Sequence, residues 1–209
     1  MSLSRRSQEG PAPTGAGLRL PNAWWWMLAV AMALGVGLRL MHAVDVRVFT
    51  PDEGVYSSQA EALLKEGMAG NHARVAMYFD DPAAVALPPP TRIAYPAAVA
   101  AAASVFGENP RTAARVSTIA SIVALALVAA LGVDMSGPRV ASVAVLLLAT
   151  YLPDLLLARR AWVDAWVACV SLLALFIVVR LATRPSREWR ELHVPVCALL
   201  VLSRETAAV

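Results

Sequence analysis

Apolar residues occur along the chain in long runs that are separated by short polar segments. The first run, from Ala23 to Leu38, carries no charge and opens with three tryptophans, and with the next residues it reaches the roughly 20 that a helix needs to cross a bilayer. Four further runs follow at about 110–133, 140–157, 162–179 and from residue 192 onward. Short connections join these four, as in an antiparallel helical bundle. The pattern predicts an all-α transmembrane bundle with several spans.

Two segments depart from this pattern. Residues 1–22 are rich in Gly, Pro, Ser and Arg, and we expect a disordered cytoplasmic tail because they offer too few apolar groups to offset the entropy of ordering. Residues 42 to about 92 are mixed in character. Within them Thr50 to Glu53 form a capping box with proline at the first helical position. The helix should end near Glu66 with Gly67 as its stop, and its apolar face allows it to lie along the membrane surface.

The short apolar run from Ile93 to Phe106 decides the topology, because its 14 residues are few for a span. If it does not cross, six arginines share the cytoplasmic side with the N-terminus, as the positive-inside rule requires: Arg5, Arg6, Arg139, Arg184, Arg187 and Arg190. We therefore predict one large extracytoplasmic loop, about 42–109, with juxtamembrane amphipathic helices. It belongs to a single membrane domain, 23–209. The last predicted span is incomplete at Val209, so we expect that a C-terminal portion is missing.

Composition narrows the class of protein. Hydrophobic residues make up 58% of the 209 and charged residues 16%, which argues against a water-soluble fold. The net charge of +3 comes mostly from arginines scattered at the ends of apolar runs, which argues against a nucleic-acid partner. Cys169 and Cys197 lie inside apolar runs and are interpreted as small buried hydrophobes. The sequence has no Walker loop, dinucleotide fingerprint, zinc-type cluster or nucleophile elbow, which argues against an ATP-driven transporter or a soluble-type hydrolase.

Asp52 and Glu53 are adjacent carboxylates at the start of the predicted outer loop. There an acid can meet both a lipid head group and an aqueous substrate, which suits a general base. Both residues also suit a helix start, since Glu53 completes the capping box and Asp52 favours the helix dipole. The sequence leaves both interpretations open.

Arginines form a second candidate group at the same membrane face. Arg159 and Arg160 lie with Asp164 in the next outer turn, and guanidinium groups bind phosphate well. Anchoring of span ends at the interface is the alternative. Arg92 follows a stiff proline run that either presents it near the interface or is only a linker. Asp154 falls in or near a span, where an acid is expected to face a cavity or a partner such as Arg159.

Five motifs in order carry a resemblance that extends from about Val48 to the last residue. They are Pro51-Asp52-Glu53 with the following helix, Pro89-Pro90-Thr91-Arg92 through Phe106-Gly107, Ala113-Ala114-Arg115, Pro153 with Arg159-Arg160 and Asp164, and Arg204-Glu205. This order resembles the protein mannosyltransferase, aminoarabinose transferase and rhizobial lipopolysaccharide transferase group, membrane glycosyltransferases of the GT-C class. Ala158 stands where the group usually has serine, and Asp154 is an additional acid.

The resemblance implies transfer of a sugar from a polyprenyl-phosphate carrier to an acceptor hydroxyl at the extracytoplasmic face of the plasma (inner) membrane, with inversion at the anomeric carbon. Asp52 would act as the base, and Glu53 and Asp164 would shape the site. The residues that would stabilise the departing phosphate are Arg159 or Arg160, with Arg92 and Arg204. Partners would be membrane lipid, the lipid-linked donor and a lipid, glycan or protein acceptor.

Whether the protein uses a divalent metal is left open, because some relatives bind one and others do not need one. A secondary transporter or a lipid-binding membrane scaffold is the alternative function. Transport predicts charged or broken segments near the middle of the bilayer and often internal repeats. Here the acids and arginines cluster near one face, and no repeat is evident, so the enzyme is the favoured interpretation.

Overall fold

A computed structural model describes residues 23–41, 51–81 and 90–204. These residues form helices and no strands, which confirms the all-α prediction. The helices are α1 Ala23–Leu40, α2 Pro51–Asp80, α3 Ala94–Phe106, α4 Pro110–Ser136, α5 Pro138–Thr150, α6 Leu152–Ala158, α7 Val163–Thr183 and α8 Arg187–Ser203. The predicted tail, the capping residue Thr50 and Glu205 lie outside the described residues.

Among the described residues, three helices are long and apolar enough to cross a membrane: α1, α4 from Arg111, and α7. The pair α5 and α6 makes a fourth candidate if it counts as one span. α3 has 13 residues, about 20 Å at 1.5 Å per residue, against a hydrocarbon core of about 30 Å. The predicted fifth span begins earlier than expected, at Arg187, and α8 is not among these candidates. The side of the membrane on which each loop lies stays a prediction.

Small residues allow the spans to approach closely. One apolar cluster joins α1, α4 and α5 and comprises Leu28, Ala31, Leu125, Ala141, Val145 and Ala149. At the α4–α5 crossing, a Cβ added to Gly132 would lie 2.7 Å from the Ala141 Cα. Since apolar surface gains little by leaving lipid, such close backbone packing is a main source of helix association in membranes.

The run predicted as one span at about 140–157 is broken. α5 ends at Thr150, α6 starts at Leu152, and the two axes are bent by 63°. Pro153 gives the reason, because it has no N–H to donate to the carbonyl one turn earlier and its ring crowds that turn. The break redirects the chain that leads to Arg159 and Arg160.

α2 changes direction at Gly67, the residue predicted to end it. Gly67 has φ 62° and ψ −151°, a conformation that glycine adopts readily, but the chain then re-enters a helix that continues to Asp80. The apolar face that would allow α2 to lie along the membrane surface packs against the bundle, with Leu63 and Leu64 partly buried. Tyr56 and Ala60 belong to a second apolar cluster with Tyr95 and Val99 of α3, which also takes in residues of α4 and the start of α7. The N-terminal half of α2 is thereby fixed against the bundle.

Candidate active site

Glu53 and Arg160 form the central ion pair of the site. Arg160 Nε donates to Glu53 Oε1 at 2.8 Å, and Nη2 donates to Oε2 at 3.3 Å. The Glu53 side chain is 0% exposed, whereas that of Arg160 is 29% exposed. The Arg160 guanidinium also lies 5.1 Å from the ring centroid of Trp162, within the range of a cation–π contact. Two motifs that are far apart in the sequence therefore meet, and the Arg160 guanidinium is held in one orientation while remaining partly accessible.

Asp52 directly precedes Glu53 in the first turn of α2, and its side chain is exposed. Tyr56, one turn further on, connects it with other predicted site residues. Burial raises the pKa of Tyr56, a hydrogen bond and the charge of Arg92 oppose that rise, and the carboxylates of Asp52 and Asp164 add to it. Asp52, Arg92 and Asp164 thus act electrostatically on one phenol group. An exposed acid and a buried, paired acid stand side by side at the helix start.

A pair of tyrosines supports this end of α2. The rings of Tyr56 and Tyr95 meet edge to face with centroids 5.3 Å apart. The Tyr95 hydroxyl lies 3.1 Å from the Ala113 carbonyl and 2.8 Å from Ser117 Oγ, which donates to the Trp162 carbonyl at 3.0 Å. These bonds connect α3, α4 and the turn before α7. Tyr95 lies within one of the family motifs, but the sequence pattern assigned it no role.

Arg159 and Arg204 lie at the edges of this group. Arg159 Nη2 donates to the Leu38 carbonyl at 2.9 Å, and its buried Nε has no hydrogen-bond partner among the described residues. Arg204 lies 3.8 Å from Asp164, and both side chains are about half exposed. The suggested pairing of Asp154 with Arg159 is wrong, because Asp154 pairs with Arg39. Sequence reasoning missed Arg39, although a charge directly after an uncharged run of span length was a signal.

A cleft of about 340 Å³ opens next to the charged group rather than at it. It lies between α2, α3 and the start of α4 and is lined by Ser57, Ala60, Glu61, Leu64, Val99, Ala103, Glu108, Asn109, Thr112 and Ala113. It begins about one and a half turns beyond Asp52 on α2. Within the parts of the chain that the structure describes, no group of three or more His, Cys, Asp or Glu could hold a metal ion.

Helices long and apolar enough to cross a membrane, with acids and guanidinium groups gathered beside a short apolar helix, define a polytopic membrane protein with a charged candidate site. The comparison with protein families identifies its class as a membrane glycosyltransferase of the GT-C type. The family model described as dolichyl-phosphate-mannose-protein mannosyltransferase matches residues 89–209, more than half of the chain, and the chain belongs to that family. Searches of curated proteins and of solved structures gave no match. The matched range contains the five predicted binding residues and begins after Asp52 and Glu53.

Proposed function

We propose that this protein transfers a sugar from a polyprenyl-phosphate donor to an acceptor hydroxyl, with inversion, at the extracytoplasmic face of the plasma (inner) membrane. Membership of a membrane glycosyltransferase family supports the reaction class. The arginine distribution supports the face, because under the predicted topology six arginines share the side opposite the loop that carries Asp52: Arg5, Arg6, Arg139, Arg184, Arg187 and Arg190.

The arginines around Glu53 are suited to the donor phosphate. Arg160 is held by both Glu53 oxygens and is still 29% exposed, so its guanidinium is already oriented and remains accessible at the site. Arg159 adds a buried Nε–H group that donates no hydrogen bond to any described residue. Arg92, two residues before α3, and Arg204, directly after α8, border the same group. Guanidinium groups in such a setting favour an oxyanion, and they would stabilise the charge that develops on the departing phosphate.

The contrast between Asp52 and Glu53 is the observation that carries the proposal. Glu53 is fully buried and both its oxygens accept from Arg160, so its carboxylate is engaged in holding that arginine. Asp52 is exposed at the same helix start and is available to an acceptor. Asp52 takes the proton of the acceptor hydroxyl as that oxygen attacks the anomeric carbon. The bond from that carbon to the phosphate oxygen breaks, and the polyprenyl phosphate leaves with the electron pair. Glu53 and Asp164 shape the site.

The test is a transfer assay on the full-length, membrane-purified protein with a panel of polyprenyl-phosphate sugars, comparing wild type with Asp52→Asn. We expect transfer to fall by about 10²- to 10⁴-fold, the usual contribution of a general base, with an unchanged melting temperature. Glu66→Gln is the matched control, because Glu66 is an exposed carboxylate on the same helix. Retained activity in Asp52→Asn would leave Asp52 as a helix-capping residue. A well-folded wild type that consumes no donor in the panel would favour the transporter or scaffold.

A further inference from the structure

A buried network next to the candidate site joins four helices, α1, α4, α5 and α6. Arg39, in the last turn of α1, is 0% exposed and donates from Nε to Ser121 Oγ at 2.6 Å, from Nη1 to the Gly35 carbonyl at 3.0 Å and from Nη2 to the Leu148 carbonyl at 3.3 Å. Nη2 also forms an ion pair with Asp154. Ser121 donates to the same Asp154 oxygen at 2.9 Å, which closes the network.

The network is built around the break between α5 and α6. A broken helix exposes backbone carbonyls that lipid cannot hydrogen-bond, and such breaks persist in membranes only where protein groups satisfy them. Arg39 adds a donor at the carbonyl of Leu148, in the last turn of α5, which otherwise accepts a long bond of 3.4 Å from the Tyr151 N–H. Asp154 neutralises Arg39 from the first turn of α6. Buried charges within spans are costly enough that an additional pair suggests a role beyond packing.

α6 is tied to α1 at both of its ends. At its start, Asp154 pairs with Arg39. Just beyond its end, Arg159 donates to the carbonyl of Leu38, the neighbour of Arg39, at 2.9 Å. α6 has seven residues and is about 10 Å long. A displacement of Asp154 at its start should therefore also displace Arg159 and Arg160, which follow its end, because the helix between them is short and stiff.

We infer that the Arg39–Asp154–Ser121 network positions Arg159 and Arg160 for the donor phosphate. This rests on the proposed function, in which these two arginines bind that phosphate. The three network residues do not touch substrate. They set the direction of α6 after the helix break, and hence the place where Arg160 meets Glu53 and where the buried Arg159 Nε lies.

The test measures binding of polyprenyl phosphate and transfer kinetics for full-length Asp154→Asn. Binding is measured as the concentration-dependent rise in melting temperature on addition of polyprenyl phosphate, which needs no turnover. We expect the Kd for polyprenyl phosphate and the KM for the donor to rise at least about tenfold, because displacements near 1 Å are already costly at such sites. Asp134→Asn is the matched control, since Asp134 pairs with Arg180 at 2.8 Å near the C-terminal ends of α4 and α7. It should lower the melting temperature without changing Kd or KM.

A second variant covers the case in which Asp154→Asn fails to fold. Arg39→Met/Asp154→Leu removes both charges together, and replacing a whole buried pair with apolar groups often preserves stability. We expect this double variant to fold and still to bind polyprenyl phosphate at least about tenfold more weakly than wild type. Wild-type Kd and KM in either folded variant would overturn the inference while leaving the proposed function standing. A wild type that neither binds polyprenyl phosphate nor transfers sugar would instead overturn the proposed function, and the inference with it.

Discussion

Replacement of Arg160 should destabilise the protein because the buried Glu53 carboxylate loses the charge and both hydrogen bonds of Arg160. Removing one partner of a buried ion pair typically costs about 3–5 kcal/mol. Arg160 is 29% exposed, so water can partly reach the site, and we expect a smaller loss of about 2–4 kcal/mol for Arg160→Met. Glu53→Gln keeps an acceptor oxygen and removes the charge, so its cost should be lower, about 1–3 kcal/mol.

A double-mutant cycle separates the ion pair from the other contacts of each residue. The cycle needs Arg160→Met, Glu53→Gln and the double variant, with unfolding followed by circular dichroism during titration of mixed micelles with a denaturing detergent. We expect a coupling energy of about 1.5–3 kcal/mol. The loss of the cation–π contact with Trp162 occurs in both arms that carry Arg160→Met and therefore cancels.

The matched control is a second double-mutant cycle, on an exposed ion pair of α2. Lys65 and Glu61 are paired at 2.6 Å, but their side chains are 57% and 55% exposed. Water and salt screen such a pair, so Glu61→Gln and Lys65→Met should show no measurable coupling. Equal coupling in the two cycles would refute the argument that burial, rather than the short distance, makes the Glu53–Arg160 pair strong.

Two further predictions concern packing and pH. Gly132→Ala should lower the free energy of unfolding by about 1–3 kcal/mol in the same titration, because the added Cβ would lie 2.7 Å from the Ala141 Cα. Gly37→Ala meets nothing within 4 Å and should be close to neutral, so equal losses would contradict the packing account. Burial raises the pKa of Tyr56 above its ordinary 10.0, so the free energy of unfolding should fall as pH rises above that value, where the unfolded state loses the proton first. Tyr56→Phe should remove part of this slope, and an unchanged slope would contradict the prediction.

Helix positions followed from local features of the chain. The start of α4 at Pro110 was predicted from Asn109 as its cap, and Asn109 Oδ1 does accept from the Arg111 N–H at 2.9 Å. Gly67 was predicted to end a helix and is where α2 departs from helical geometry. The continuity of the helices was predicted less well. The helix resumes after Gly67, and the run at 140–157 breaks at Tyr151, because propensity rules locate an interruption better than they decide whether the helix resumes beyond it.

Pairings could not be read from the chain. The sequence offered Asp154 a partner five residues away, Arg159, whereas its partner is Arg39, 115 residues away. Arg160 and Glu53 are 107 residues apart, and neither interpretation of Glu53 included this bond. Charged groups within a bundle pair according to how helices pack, and packing depends on contacts between segments that are distant in sequence.

The sequence alone predicted the all-α membrane class and the approximate positions of the helices. It also predicted which acids and arginines are candidate site residues. Hydrophobic periodicity, run length and residue chemistry are local properties of the chain, so they can be read without the fold. The fold was needed to tell which acid is buried and which is exposed. Glu53 and Asp52 are neighbours with similar chemistry, and their difference arises from the face of α2 that packs against the turn carrying Arg160. The fold likewise decided that Arg39 of α1 bonds to the backbone at the proline break between α5 and α6, since that requires α1 and α6 to lie side by side.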